Sequence, residues 1–203
     1  MFALKGEFAR VFNAIIRNTP GTILTPKDYQ YLYYLTAEST PLREDCGALC
    51  GRACCQPGRD NDLGIYLFPG EEVMFNHRES WLIWEAQDPI EQLFPASWPT
   101  PVYFVRCTGS CPRKARPLAC RFFPLTPHLQ RDGNLWLIYE TLDTPYGCPL
   151  ITDNLPLQNT FIKTVAAAWQ VMLQDTRIRD FVEEESRYRE VQAIPLHIIE
   201  ASE

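Results

Sequence analysis

Eight cysteines, all confined to the middle of the chain, constrain this sequence more than any other feature. Cys46, Cys50, Cys54 and Cys55 form one block, and Cys107, Cys111, Cys120 and Cys148 form a second. The stretch between the blocks and both flanks are free of thiols. Whatever fold the chain takes must accommodate these groups, and the redox compartment decides how. The opening Met1-Phe2-Ala3-Leu4-Lys5-Gly6-Glu7-Phe8-Ala9-Arg10 has no unbroken apolar run and no small-residue cleavage site. It does not read as a secretory leader. No stretch approaches the roughly 18 consecutive apolar residues of a membrane span. The expectation is a cytoplasmic protein with no membrane partner. In a reducing cytosol, clustered thiols are more often metal ligands or redox groups than structural disulfides.

Composition narrows the class further. With 203 residues, 46% apolar and 12% aromatic, the chain has material for a sizeable core, which excludes wholesale disorder. The length suits a single domain over 1–203. A formal charge of −6 argues against a nucleic-acid partner, because phosphate binding needs a basic face. No triad, P-loop, Rossmann glycine pattern or HExxH occurs, so kinase, dehydrogenase and hydrolase readings have no support.

Periodicity places these cysteines on an irregular α+β scaffold with helices at both termini around a small sheet. Leu4, Phe8, Val11, Phe12, Ile15 and Ile16 recur at helical spacing. Thr25-Pro26 reads as an N-cap followed by proline at the first helical position, opening a helix through Tyr29, Leu32, Tyr33 and Leu35. Ile65–Phe68 and Val102–Val105 read as strands, the second leading straight to Cys107, and Asp132-Gly133 predicts a turn before the strand Leu135–Tyr139. The Pro-interrupted segment from Trp81 to Trp98 has no assignment. Phe161, Ile162, Val165, Ala166, Trp169, Met172 and Leu173 predict an amphipathic helix, and a short one follows from Arg177 into the solvated Glu183–Glu185 run.

The cysteine blocks carry the chemistry. In Cys46-x-x-x-Cys50-x-x-x-Cys54-Cys55 the spacing of four would align thiols on one helical face. Gly47 and Gly51 weaken a helix there and suit a loop that wraps a metal. Side chains of adjacent residues do not easily fill two corners of one tetrahedral site. The Cys54–Cys55 pair therefore points to two centres, or to one thiol with another purpose; a strained vicinal disulfide is the other reading. The expectation is that all eight thiols lie in one or two neighbouring centres and that the blocks interleave. The second block contains Arg106, Arg113, Lys114, Arg116 and Arg121 and no acid from 106 to 127. Such charge offsets the anion that thiolates make around zinc or iron, or grips an anionic substrate or cofactor. His128 is a reserve ligand, while His77 and His197 have no partner signal. Soft thiolates suit zinc and iron–sulfur clusters alike.

Taken together, the vicinal cysteine block and the downstream Arg116-Pro117-Leu118-Ala119-Cys120-Arg121-Phe122-Phe123-Pro124 resemble the YkgJ-type cysteine-cluster family, a zinc- or iron-chelating domain. The resemblance covers roughly 44–150 and implies that Cys46, Cys50, Cys54, Cys55, Cys107, Cys111, Cys120 and Cys148 converge on metal. Arg116 and Arg121 are then groups behind the ligands, or an anion site. The first block is spaced more loosely than the family's nominal Cys-x-x-Cys-x-x-Cys-Cys. The family extends to flagellin lysine N-methylase, which implies an iron–sulfur cluster, S-adenosylmethionine and a protein or peptide substrate as one alternative. A redox or metal sensor is another. Much of the longer methylase is absent here.

Overall fold

The computed structural model describes residues 22–55, 63–109, 111–142 and 144–201. The helix expected over Leu4–Ile16 lies outside them. Helix α1 spans Pro26–Leu35 and starts as its sequence dictates. Thr25 Oγ1 accepts from the Asp28 amide at 3.4 Å, and the Asp28 carboxylate accepts from the Thr25 amide at 2.7 Å, a reciprocal capping box. One face of α1 buries Tyr29, Leu32 and Tyr33.

Two three-stranded antiparallel sheets follow, where the sequence suggested one. The first has the order β1-β3-β2, with β1 at Ile65–Tyr66, β2 at Leu82–Gln87 and β3 at Val102–Cys107. Strand β2 falls in the unassigned 81–98 segment, and its Leu82 pairs with Cys107 at the end of β3. Strand β1 is shorter than its apolar run because Pro69-Gly70 turns the chain, with Gly70 at φ 99°, a value that glycine adopts at least cost. The second sheet has the order β4-β5-β6, from Leu125–Leu129, Leu135–Tyr139 and Ile198–Ala201. The Asp132-Gly133 turn joins β4 to β5 as a hairpin. Strand β6, unforeseen in the sequence, takes up the free edge of β5.

The short helices lie around the cysteines: α2 at Gly47–Cys50, α3 at Leu118–Phe122 and α4 at Pro149–Thr152. Two long helices close the molecule, α5 at Asn159–Met172 and α6 at Thr176–Val191. Helix α5 buries Phe161, Val165, Ala168, Trp169 and Met172 in the main core, together with Leu32 of α1 and Phe122 of α3. Helix α6 is longer than predicted. Its Ser186 Oγ accepts from the Leu129 amide at 2.9 Å, and its Arg189 donates to the Pro127 carbonyl at 3.2 Å, so it covers β4. No helix of the described residues is long and apolar enough to cross a membrane.

Asp175 ties the start of α6 to the rest of the fold. Fully buried, it accepts from the Leu24 amide at 2.8 Å, from the Arg177 amide at 3.0 Å, and from Arg177 Nη2 at 2.7 Å. Replacing it by alanine removes a cap, strands the Leu24 and Arg177 amides, and takes two bonds from the Arg177 guanidinium, which keeps its bond to the Pro69 carbonyl. Asp175→Ala is expected to cost about 2–4 kcal/mol. Urea unfolding checks this: Asp175→Asn, which keeps a capping oxygen, should recover part of the loss.

Candidate metal centre

The first cysteine block forms one helical turn and a 3-10 turn. Cys46 precedes α2 and Cys50 ends it, so their side chains share a face. Gly51 terminates the turn at φ 61°, the left-handed conformation expected of a loop-forming glycine. Gly47 is needed for a different reason: a Cβ there would stand 2.4 Å from Arg52 Cγ. Arg52 crosses that space to Asp45 at 3.0 Å, and Asp45 also accepts from the Gly47 amide at 3.0 Å. The chain then turns through Ala53–Cys55.

The second block arrives from three directions. Cys107 ends β3, Cys120 sits in the middle of α3, and Cys148 precedes Pro149 at the start of α4. The Arg-Pro-x-x-Cys-Arg string folds into a loop clamped by its own arginine. Arg121 Nε donates to the Arg116 carbonyl at 2.7 Å, and Nη2 donates to the Lys114 carbonyl at 2.8 Å. Nη1 donates to the Tyr33 carbonyl and Thr36 Oγ1, both at 3.0 Å. The guanidinium lies 4.2 Å from the centre of the Tyr33 ring. This cation thus sits at the C-terminus of α1, where the helix dipole favours it. Arg121 fastens the Cys120 helix to α1, and its bonds run to protein oxygens.

A second anchor, Glu71, had no signal in the sequence. It is fully buried in the 3-10 turn Glu71–Met74, accepting from the Leu118 amide at 2.7 Å, Tyr33 Oη at 2.8 Å and the Phe68 amide at 3.0 Å. Glu71 therefore holds the first residue of α3, two positions before Cys120. Burial raises its carboxyl above the usual range, against the pull of those donors and of Arg121.

All eight cysteines are free thiols, seven half-buried and Cys54 exposed. Cys54 and Cys55 Sγ lie 3.8 Å apart, too far for a disulfide. The same distance is the edge of a tetrahedron with bonds of about 2.3 Å, so spacing alone does not force the pair onto separate ions.

The two blocks meet. Cys107 and Cys55 donate to Cys111, which together with Arg116 pulls that thiol far down, while Cys55 and Cys107 hold their protons more tightly. The contact with Cys55, 3.8 Å away, lowers Cys54 to about 7. Burial pushes Cys120 up to about 12, with the Cys111 charge adding to the shift. Burial also raises Cys46 and Cys148; Cys54 and Cys50 are among the charges beside each.

Arg116 fits the role of a group behind the ligands, since the nearby thiolates of Cys111, Cys55 and Cys120 strengthen its hold on its proton. A cavity of about 320 Å³ opens beside Cys55 and Cys111, with Arg43, Arg52, Arg113 and Arg116 in its wall. Asp45, tied to Arg52, also faces it.

His128 is buried in β4 against Trp136, with Arg189 and Glu190 as its charged neighbours, so it faces α6. His77 stacks on Trp84, and His197 packs edge-on against Tyr139. Among the described residues, no three His, Cys, Asp or Glu side chains already stand as ligands around one point. The donor set is nonetheless one that soft metals take: free thiols, with Arg116 beside Cys111, Cys55 and Cys120 to offset their charge. Comparison of the chain with protein-family models, curated proteins and solved structures finds no match.

Proposed function

We propose that the protein binds zinc or iron through its eight cysteine thiolates, and that the metal fastens the 46–55 loop to the 107–120 loop and the Cys148 turn. The observation that carries this reading is the convergence of free thiols from both blocks, with Cys111 between Cys55 and Cys107. Thiolate ligands rotate about χ1 to close on an ion, and their binding energy then becomes folding energy. Anaerobic purification followed by metal analysis and an absorbance spectrum is the test. Zinc in a colourless protein supports a structural role, and a brown protein absorbing near ~400 nm supports iron–sulfur. A protein that carries neither metal, fails to take either up on reconstitution, and has all eight thiols freely reactive overturns the proposal.

The arginine-walled cavity beside Cys111 supports a second reading, an iron–sulfur enzyme that binds S-adenosylmethionine and modifies a protein or peptide. Arginine forks suit the carboxylate of such a cofactor. Arg116 is the residue to test, because Arg121 is tied to carbonyls. Calorimetric titration of the iron-loaded protein with S-adenosylmethionine should show binding that Arg116→Ala abolishes at unchanged metal content. No binding by the intact protein rejects this reading and leaves the metal-binding one standing.

A further inference from the structure

We infer that the protein carries a second binding site, separate from its thiols: the aromatic cavity between β4 and helices α3, α5 and α6 takes a small arylalkylamine, with the ring seated on Phe122 and Trp169 and the ammonium held at Glu140 and Glu185. The inference does not rest on the metal-binding reading. The cavity has a volume of about 230 Å³, and among the described residues no cysteine lines it.

Burial gives this cavity a floor and a mouth. Phe68, Phe122 and Trp169 are buried, and the Trp169 ring centre lies 5.5 Å from that of Phe68 and 5.3 Å from that of Phe122. Tyr66, Phe94 and Phe181 continue the wall, with the Phe94 ring 4.8 Å from Tyr66 and 5.6 Å from Phe181. Leu142, 68% exposed, marks the opening. Rings fixed against one another in this way make a preformed apolar slot. One polar atom there is left over. Trp98 Nε1, also in the wall, donates to the Arg177 carbonyl at 2.8 Å, whereas the buried Trp169 Nε1 has no acceptor among the described residues. The π face of an aromatic guest accepts from such an indole N–H, and an aliphatic guest has none to offer. A dry cavity of about 150 Å³ takes benzene, so this one takes about nine non-hydrogen atoms, a phenyl ring with a short polar arm.

Charge at the mouth selects the end of that arm. The wall there holds two carboxylates, Glu140 and Glu185, and one guanidinium, Arg189. Arg189 is already engaged by the protein. Its Nε donates to Thr141 Oγ1 at 3.0 Å, Nη1 donates to the Pro127 carbonyl at 3.2 Å, and Nη2 lies 3.6 Å from Glu185. Glu140 accepts from the Thr141 and Leu142 amides on Oε1 alone, at 2.8 and 3.1 Å, which leaves Oε2 open. An anionic head group would meet a net negative rim and no free cation. An ammonium meets carboxylates and the faces of nearby rings, and both favour it.

Calorimetric and NMR titration of the purified full-length protein with three soluble probes of similar outline is the test. Phenethylamine should bind saturably, phenethyl alcohol about tenfold more weakly, and phenylacetate not at all. The amide shifts that phenethylamine causes should centre on Phe122, Thr126, Phe181 and Glu185. The double variant Glu140→Gln, Glu185→Gln should bring the amine down to the affinity of the alcohol and leave the alcohol unchanged. The inference is overturned if phenethylamine does not bind saturably, if phenylacetate binds as tightly, or if the amine preference survives in the variant. Shifts centred on the arginine-walled cavity beside Cys111 overturn it as well. Should the variant not fold, the ranking of the three probes and the location of the shifts in the wild type decide the matter.

Discussion

If the thiols hold metal as proposed, stripping it from the purified protein is expected to unfold the cysteine-bearing segments and lower the melting temperature by tens of degrees. A structural zinc contributes on the order of 10 kcal/mol. In a chain of this size, each kcal/mol moves the melting temperature by roughly 2–4 °C. The effect should be local because the elements involved cannot stand alone. Helix α2 is one turn long, and its only buried residue is Gly47. Helices this short have no independent stability in water. Helices α5 and α6, by contrast, bury Phe161, Trp169, Ile178 and Val182 in the main core. Hydrogen exchange before and after chelation reads this directly. Protection should vanish at 46–55, 107–120 and 148–152 and persist at 159–191. Unchanged protection in a protein shown to have lost its metal would remove the fastening role.

Glu71→Ala is the substitution expected to cost most, about 3–5 kcal/mol, because it strands the Leu118 and Phe68 amides and the Tyr33 hydroxyl in a dry interior. The melting temperature should fall by roughly 10 °C. The pH dependence has a definite sign. Burial raises the Glu71 carboxyl in the folded state, so the folded protein holds this proton more tightly than the unfolded chain. Its contribution is complete below the unfolded carboxyl range, about pH 4, and declines as the pH rises through the elevated native value. The deficit of the variant should accordingly be largest in acid and narrow toward neutrality. Denaturant titrations of both proteins between pH 4 and 8 measure it, and a deficit that widens with pH would contradict this assignment. Metal content should fall with stability, because Glu71 fixes the helix that carries Cys120.

Local chemistry was legible in the residues themselves. Thr25-Pro26 starts α1, the apolar positions from Phe161 onward specify α5, and Asp132-Gly133 marks the β4–β5 turn. In each case neighbours within a few positions decide the outcome. The candidate centre was legible in part for a similar reason. Eight thiols in two blocks set the expectation of interleaving, although the 3.8 Å between Cys54 and Cys55 Sγ does not by itself force that pair onto separate ions.

What escaped depends on residues far apart in the chain. Glu71 carries no signal in the sequence, because the Leu118 amide it accepts from lies 47 positions away. Arg121 reads as an anion grip, but its guanidinium meets the end of α1, 88 positions earlier. Strand β6 is visible only once β5 presents an open edge to pair with. The sequence by itself determined an α+β scaffold and where along the chain its eight thiols fall. Only the tertiary structure decided which thiols are neighbours and which charges are used to hold them. Residue type and local periodicity are short-range properties, whereas burial and pairing arise when distant segments exclude water from one another.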